Sequence, residues 1–221
     1  MIEERQMFEM MLRQNISCIA LYHNHVDSAL KDFLKEIELD SEISKADKAY
    51  WKREYEVNFP EKLRETSFLL MFGHLEEMLF LLWRDKNPNS VEMDRGNGIS
   101  KYKSYIKDIL GTLDNTDYCH IVEAAKVRNS IIHIAGRVTL STESEKLKKL
   151  AQNSIYYSID MDRIKISVEG VSRLQKAISQ LTRTLLNKSI QPTANASADF
   201  VVRVLRWQIS RSLQSPSLLR Q

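Results

Sequence analysis

Glycine and proline are scarce in this chain, 6 and 4 residues in 221. That shortage argues against a many-turned β architecture and for long helices. Cysteine is scarcer still. Cys18 and Cys119 both sit inside apolar stretches, and two thiols build no disulfide framework, so a reduced, cytoplasmic protein is expected. No secretory leader is read at the start, because Glu3, Glu4 and Arg5 precede a run broken throughout by charge. Long apolar runs are lacking too. The most apolar stretch, Phe68 to Trp83, carries His74, Glu76 and Glu77. It is too short and too charged to span a bilayer and is expected to be a buried helix, with no membrane partner.

Several chemistries lack their residues. There is no Cys-x-x-Cys, no phosphate-binding glycine loop, no Gly-x-Ser-x-Gly and no DNA-reading motif. Helical di-iron sites need Glu-x-x-His pairs, and none of the five histidines has Glu three residues earlier; His120 has only Asp117. His23-x-His25 is a poor metal pair on a helix, because the two point apart, and His23 suits a core position. No metal and no cofactor are therefore expected. A basic surface is also lacking. The formal charge of +3 comes from the end of the chain: residues 188–221 hold five basic residues and one acid, which leaves residues 1–187 at −1. Any contact with nucleic acid would have to be local.

What is present is helical periodicity. Within residues 3–39, Leu12, Ile16, Ile19, His23, Val26, Leu30, Phe33 and Ile37 recur at alternating spacings of three and four, one narrow stripe suited to packing along another helix. A short polar helix is expected over 45–57. Phe59-Pro60 then restarts the chain, with Phe59 extended and Pro60 in the first turn of a helix to Lys86. Asn87-Pro88-Asn89 and Gly96-Asn97-Gly98 are turn chemistry. Helices follow from Ile99 to Leu110, closing at Gly111, and from Asn115 or Thr116 to Ala135, with Gly136 beyond its end. Thr142-x-x-Glu145 has capping-box spacing before a helix over 146–152. Residues 155–159 and 163–167 flank Asp160-Met161-Asp162 as a small hairpin. A closing helix, 169–187, puts Val171, Leu174, Ile178, Leu181 and Leu185 on one face. The fold expected is all-α, an antiparallel bundle with a β-hairpin inserted before the last core helix. Residues 1–187 are expected to form one domain, and 188–221 a Pro-broken linker and a basic tail, read either as a dispensable extension or as a cationic helix over 199–213 for a membrane surface or a partner.

One segment is chemically loaded: Arg128-Asn129-Ser130-Ile131-Ile132-His133, late in a helix. Histidine titrates near neutral pH and can move protons. Arginine offers a permanently charged fork to phosphate oxygens, and asparagine adds neutral hydrogen bonds. Asn129 and His133 share a helical face, whereas Arg128 and His133 lie about 140° apart. A histidine in the last turn also suits the helix dipole, so a purely structural role stays open.

Arg128-Asn129-x-x-x-His133, followed by Ile134-Ala135-Gly136-Arg137-Val138, resembles the signature of the HEPN superfamily, helical-bundle domains that include many metal-independent endoribonucleases. The preceding apolar helix with Leu75-Glu76-Glu77-Met78-Leu79 and the trailing hairpin and helix extend the resemblance over 60–187. It implies a HEPN-like bundle with Arg128, Asn129 and His133 as catalytic residues and Glu76 as a supporting residue. It also implies a homodimer whose cleft draws on both copies, and an RNA substrate (tRNA or mRNA) cut to a 2′,3′-cyclic phosphate. The protein would be a toxin or antiphage effector with an antitoxin or regulatory protein as a further partner. The stretch from Gln191 to Ser197 resembles the read-through at the ends of mobile bacterial gene cassettes. In the subgroup paired with nucleotidyltransferase antitoxins a Tyr stands two residues after the His. Here that position is Ala135, which argues against silencing by tyrosine adenylylation. The alternative is a catalytically inactive HEPN-like module for dimerisation or for nucleotide or RNA binding.

Overall fold

The computed structural model describes residues 2–86 and 93–189; the expected linker and tail beyond them lie outside the described residues. The elements run α1 (Ile2–Leu39), α2 (Lys45–Arg53), a π-helical turn (Glu54–Asn58), α3 (Phe59–Lys86), a 3₁₀ turn (Gly98–Tyr102), α4 (Lys103–Leu110), α5 (Thr116–Ile134), α6 (Ser144–Gln152), a hairpin of β1 (Tyr157–Asp160) and β2 (Arg163–Ile166), and α7 (Val168–Ser189). The fold is the all-α bundle with a small hairpin before the last helix that the patterning predicts.

The bundle is organised around α3, which packs against α1, α5 and α7. Its apolar residues therefore go all round rather than along one stripe. Phe68, Met71, Phe72, Leu75 and Leu79 are each at most 1 % exposed. Helix α7 presents the expected face, with Leu174, Ile178 and Leu185 fully buried. By length and composition alone, a window within the continuous helix Lys45–Arg84 could cross a membrane, and 56 % of that window is buried inside the protein.

Two elements differ from expectation at one place. The chain does not restart at Phe59-Pro60. Phe59 is helical (φ −68°, ψ −44°), and its N–H donates to the Glu54 carbonyl, five residues back. Proline lacks an N–H, and in a regular α-helix its ring presses on the carbonyl four residues earlier. The wider π turn absorbs both, so α2 and α3 are one rod. Phe33 follows from the same feature. It stands 54 % exposed on α1 with its ring 6.3 Å from Tyr55 of the π turn, while Leu34 takes the buried position. Ile16 and His23 are buried as expected, and Leu12 lies outside the described side chains.

The local signals around the other helices have mixed outcomes. The Asn115 side chain accepts from the Tyr118 N–H and starts α5. The Thr142–Glu145 capping box does not form. Residue 143 is the N-cap of α6 and makes no side-chain cap, and Glu145 pairs with Lys148 instead. The hairpin closes through two residues, not three: Asp160 pairs with Arg163, and Met161 and Asp162 both take positive φ, 44° and 64°.

Candidate functional site

Helix α5 crosses α3, and this crossing brings three of the four expected residues together. Arg128 is half-buried on α5, and its Nη2 lies 3.6 Å from Oε1 of Glu76 on α3. Its Nη1 donates to the Asn129 side-chain oxygen at 3.0 Å. The guanidinium is thus held from two sides, with donors left over for a ligand. All three residues line a cleft of about 560 Å³ whose opposite wall is the turn and first residues of α4, Asn97 to Lys103.

Gly98 makes that wall possible. It has φ +57°, and a Cβ there would come within 3.0 Å of Glu76 Oε1. A residue without a side chain lets the turn close over the carboxylate. Below the rim the floor is apolar, with Phe72, Ile99 and Val122. Tyr102, at the end of the 3₁₀ turn, is buried, and burial, with the nearby Glu76 charge second, pushes its hydroxyl pKa above the usual value. Asp94 fixes the start of α4 by accepting from the Ser104 N–H at 2.6 Å, and that bond holds its carboxyl below the ordinary range.

His133 is not in the cleft. It sits one turn beyond Asn129, exposed in the last turn of α5 beside exposed Ile132. The end that carries it is firmly built. Ala135 takes the left-handed conformation (φ 51°, ψ 36°), and the Gly136 N–H donates back to the Ser130 carbonyl at 2.9 Å. The Ile164 N–H of β2 donates to the Gly136 carbonyl at 2.9 Å, and Arg163 Nη1 donates to the Ala135 carbonyl. A single chain therefore joins Arg128, Asn129 and Glu76 and presents His133 outward.

Two cations of the cleft, Lys103 and Lys126, are not singled out by any sequence pattern. They are far apart in the chain and belong to no motif. Among the described residues no group of three or more His, Cys, Asp or Glu side chains converges as a metal site. The other histidine of α5, His120, is buried and belongs to a separate polar cluster with the Asp117–Arg173 ion pair (2.8 Å) and the edge of Tyr156. The chain matches no family model, no curated protein and no solved structure, so the site is read from its own geometry.

Proposed function

We propose that this chain is a metal-independent endoribonuclease of HEPN type, working as a cytoplasmic homodimer, and that it serves as a toxin or antiphage effector acting on tRNA or mRNA. The observation that carries the reading is the meeting of Arg128 and Asn129 with Glu76 on one open cleft, with His133 one turn away on the same helix. The chemistry needs a base at the 2′-hydroxyl and cationic donors at the phosphate. His133 takes the 2′-hydroxyl proton, and the 2′-oxygen attacks phosphorus. Arg128 and Asn129 hold the non-bridging oxygens as their charge grows. The 5′-oxygen then leaves, protonated by an imidazolium of the same or the second copy, and the ends are a 2′,3′-cyclic phosphate and a 5′-hydroxyl. An exposed His133 suits a cleft shared between two copies, since a second chain can bring it to the phosphate.

A second reading has one observation in its favour. His133 stands outside the cleft, and the Arg128 fork is already engaged by Glu76 and Asn129. A catalytically inactive module for dimerisation or for nucleotide or RNA binding would carry the same contacts. Incubating the purified protein with total RNA in EDTA, beside His133→Ala and Arg128→Ala, separates the two. Cleavage by the unaltered protein alone supports the enzyme. No cleavage, or equal cleavage by all three, rejects these residues as catalytic. A monomer at micromolar concentration counts against the shared cleft.

A further inference from the structure

Some surface lysines are neutralised in place: Lys31 pairs with Asp27, Lys35 with Asp32, Lys52 with Glu38, Lys62 with Glu65 and Lys148 with Glu145. Others, among them Lys45, Lys101, Lys107, Lys149 and Lys176, make no ion pair within 4.0 Å among the described residues, and Lys103 and Lys126 belong to this second group. What sets these two apart is place. Both line the Arg128 cleft, Lys103 exposed on α4 with the Asp94 charge nearby and Lys126 half-buried on α5. The two acids on the same walls are occupied, Glu76 by Arg128 and Glu143 by Lys146 at 2.6 Å. Three cations therefore face one cleft whose acids are spoken for, in a body of net charge −1 over residues 1–187.

Unpaired cations repel one another, and a cluster of them on an otherwise balanced surface invites a polyanion. The apolar floor of Ile99 and Val122 and the side-chain amides of Asn97 and Asn129 add surface for an unpaired base. A volume near 560 Å³ falls in the usual range of small-ligand clefts. A short piece of one strand fits inside a cleft of that size, whereas a duplex would have to lie across its mouth.

We propose that this cleft is the track for a single RNA strand, with Lys103 and Lys126 seating phosphates next to the one that Arg128 handles. The inference rests on the ribonuclease reading for its ligand, and it adds the form of the substrate and two positioning residues outside the motif. Bound this way, the strand enters between α4 and α5. Paired regions are excluded, so cleavage falls in loops and single-stranded ends.

The test uses the full chain and a fluorescent 2′-O-methyl oligouridine, which has no free 2′-hydroxyl and cannot be cut, with anisotropy followed across a salt series. The Lys103→Ala/Lys126→Ala double variant is expected to bind roughly tenfold more weakly, and its salt dependence to flatten by about 1.4 in log K per log salt, about 0.7 for each lost phosphate contact. A Lys35→Ala/Lys62→Ala control should bind as the unaltered protein does, and a blunt duplex of equal length should bind markedly less than the strand. Unchanged affinity and slope in the double variant, or a duplex bound as tightly as the strand, overturns the proposal. Failure of the ribonuclease reading looks different: lysine-dependent strand binding with no His133-dependent cleavage in EDTA leaves the track standing on a binding module. His133-dependent cleavage with an unchanged KM in the double variant leaves the enzyme standing without the track.

Discussion

Glu76 on α3 holds the Arg128 guanidinium of α5 from 3.6 Å, and Asn129 holds it from the other side at 3.0 Å. Both contacts are made at a cleft open to solvent. Each therefore contributes little to folding while fixing where a positive charge sits, since partly exposed ion pairs are worth about 0–1 kcal/mol.

Glu76→Ala should accordingly leave stability within about 1 kcal/mol of the unaltered protein by urea denaturation. In the RNA assay its kcat should fall roughly 10- to 100-fold, because the fork loses its orientation. Glu76→Gln, which keeps a carbonyl acceptor for Arg128, should recover part of kcat. Equal loss in both variants would tie Glu76 to charge and not to position.

His120 predicts a pH dependence of stability. The ring is 6 % exposed and its pKa is drawn from 6.5 down to about 4, first by burial and then by the Arg173 charge, against the opposing pull of Asp117. A basic group with a depressed pKa binds its proton more readily in the unfolded chain. Its contribution is therefore complete above about pH 6.5 and is lost as the pH falls toward 4. The unaltered protein should lose on the order of 2 kcal/mol over that window from this group alone. His120→Leu should show a correspondingly flatter profile in urea midpoints between about pH 7.5 and pH 5. Parallel profiles would remove His120 as the cause.

Gly170, in the first turn of α7, sits where the hairpin comes closest. A Cβ there would stand 2.6 Å from the Tyr156 carbonyl oxygen and 3.1 Å from Ile166 Cγ2. Backbone cannot step aside as a flexible side chain can. Gly170→Ala should destabilise by about 1–3 kcal/mol, with a lowered urea midpoint as the readout.

The end of α5 offers the opposite sign. Ala135 occupies a left-handed position, unfavourable for a residue with a Cβ. Ala135→Gly should raise stability by roughly 0.5–1 kcal/mol. Met161→Asn, at the first positive φ of the hairpin turn, should act in the same direction, because asparagine tolerates that region better. A fall in melting temperature for both would contradict the assignment of these turns.

The helices were legible because their signals are local and repeated. Asn115 before an apolar run and the Val171 to Leu185 face read correctly from spacing alone. Pro60 misled because a proline normally ends or begins a helix, and a π turn that carries it through leaves no mark in the sequence. Thr142 and Glu145 have capping-box spacing, but Ser141 accepts from the Glu143 N–H instead, and that turn competes with the cap. At the site, Arg128 and Asn129 stand out in the sequence as phosphate-binding residue types, but their mutual hydrogen bond does not. The Glu76 contact was reachable only through the family resemblance. Lys103 and Lys126 lie beyond sequence reading, since only the packing of the 3₁₀ turn and of α5 on α3 gives them a common cleft.

The sealed end of α5 bears on how a second molecule would meet His133. With the Gly136 carbonyl taken by Ile164 and the Ala135 carbonyl by Arg163, the end of α5 is tied to the hairpin. A docking chain or strand meets an imidazole on backbone that is already held, so association there carries little ordering cost for the helix and turns on side-chain fit.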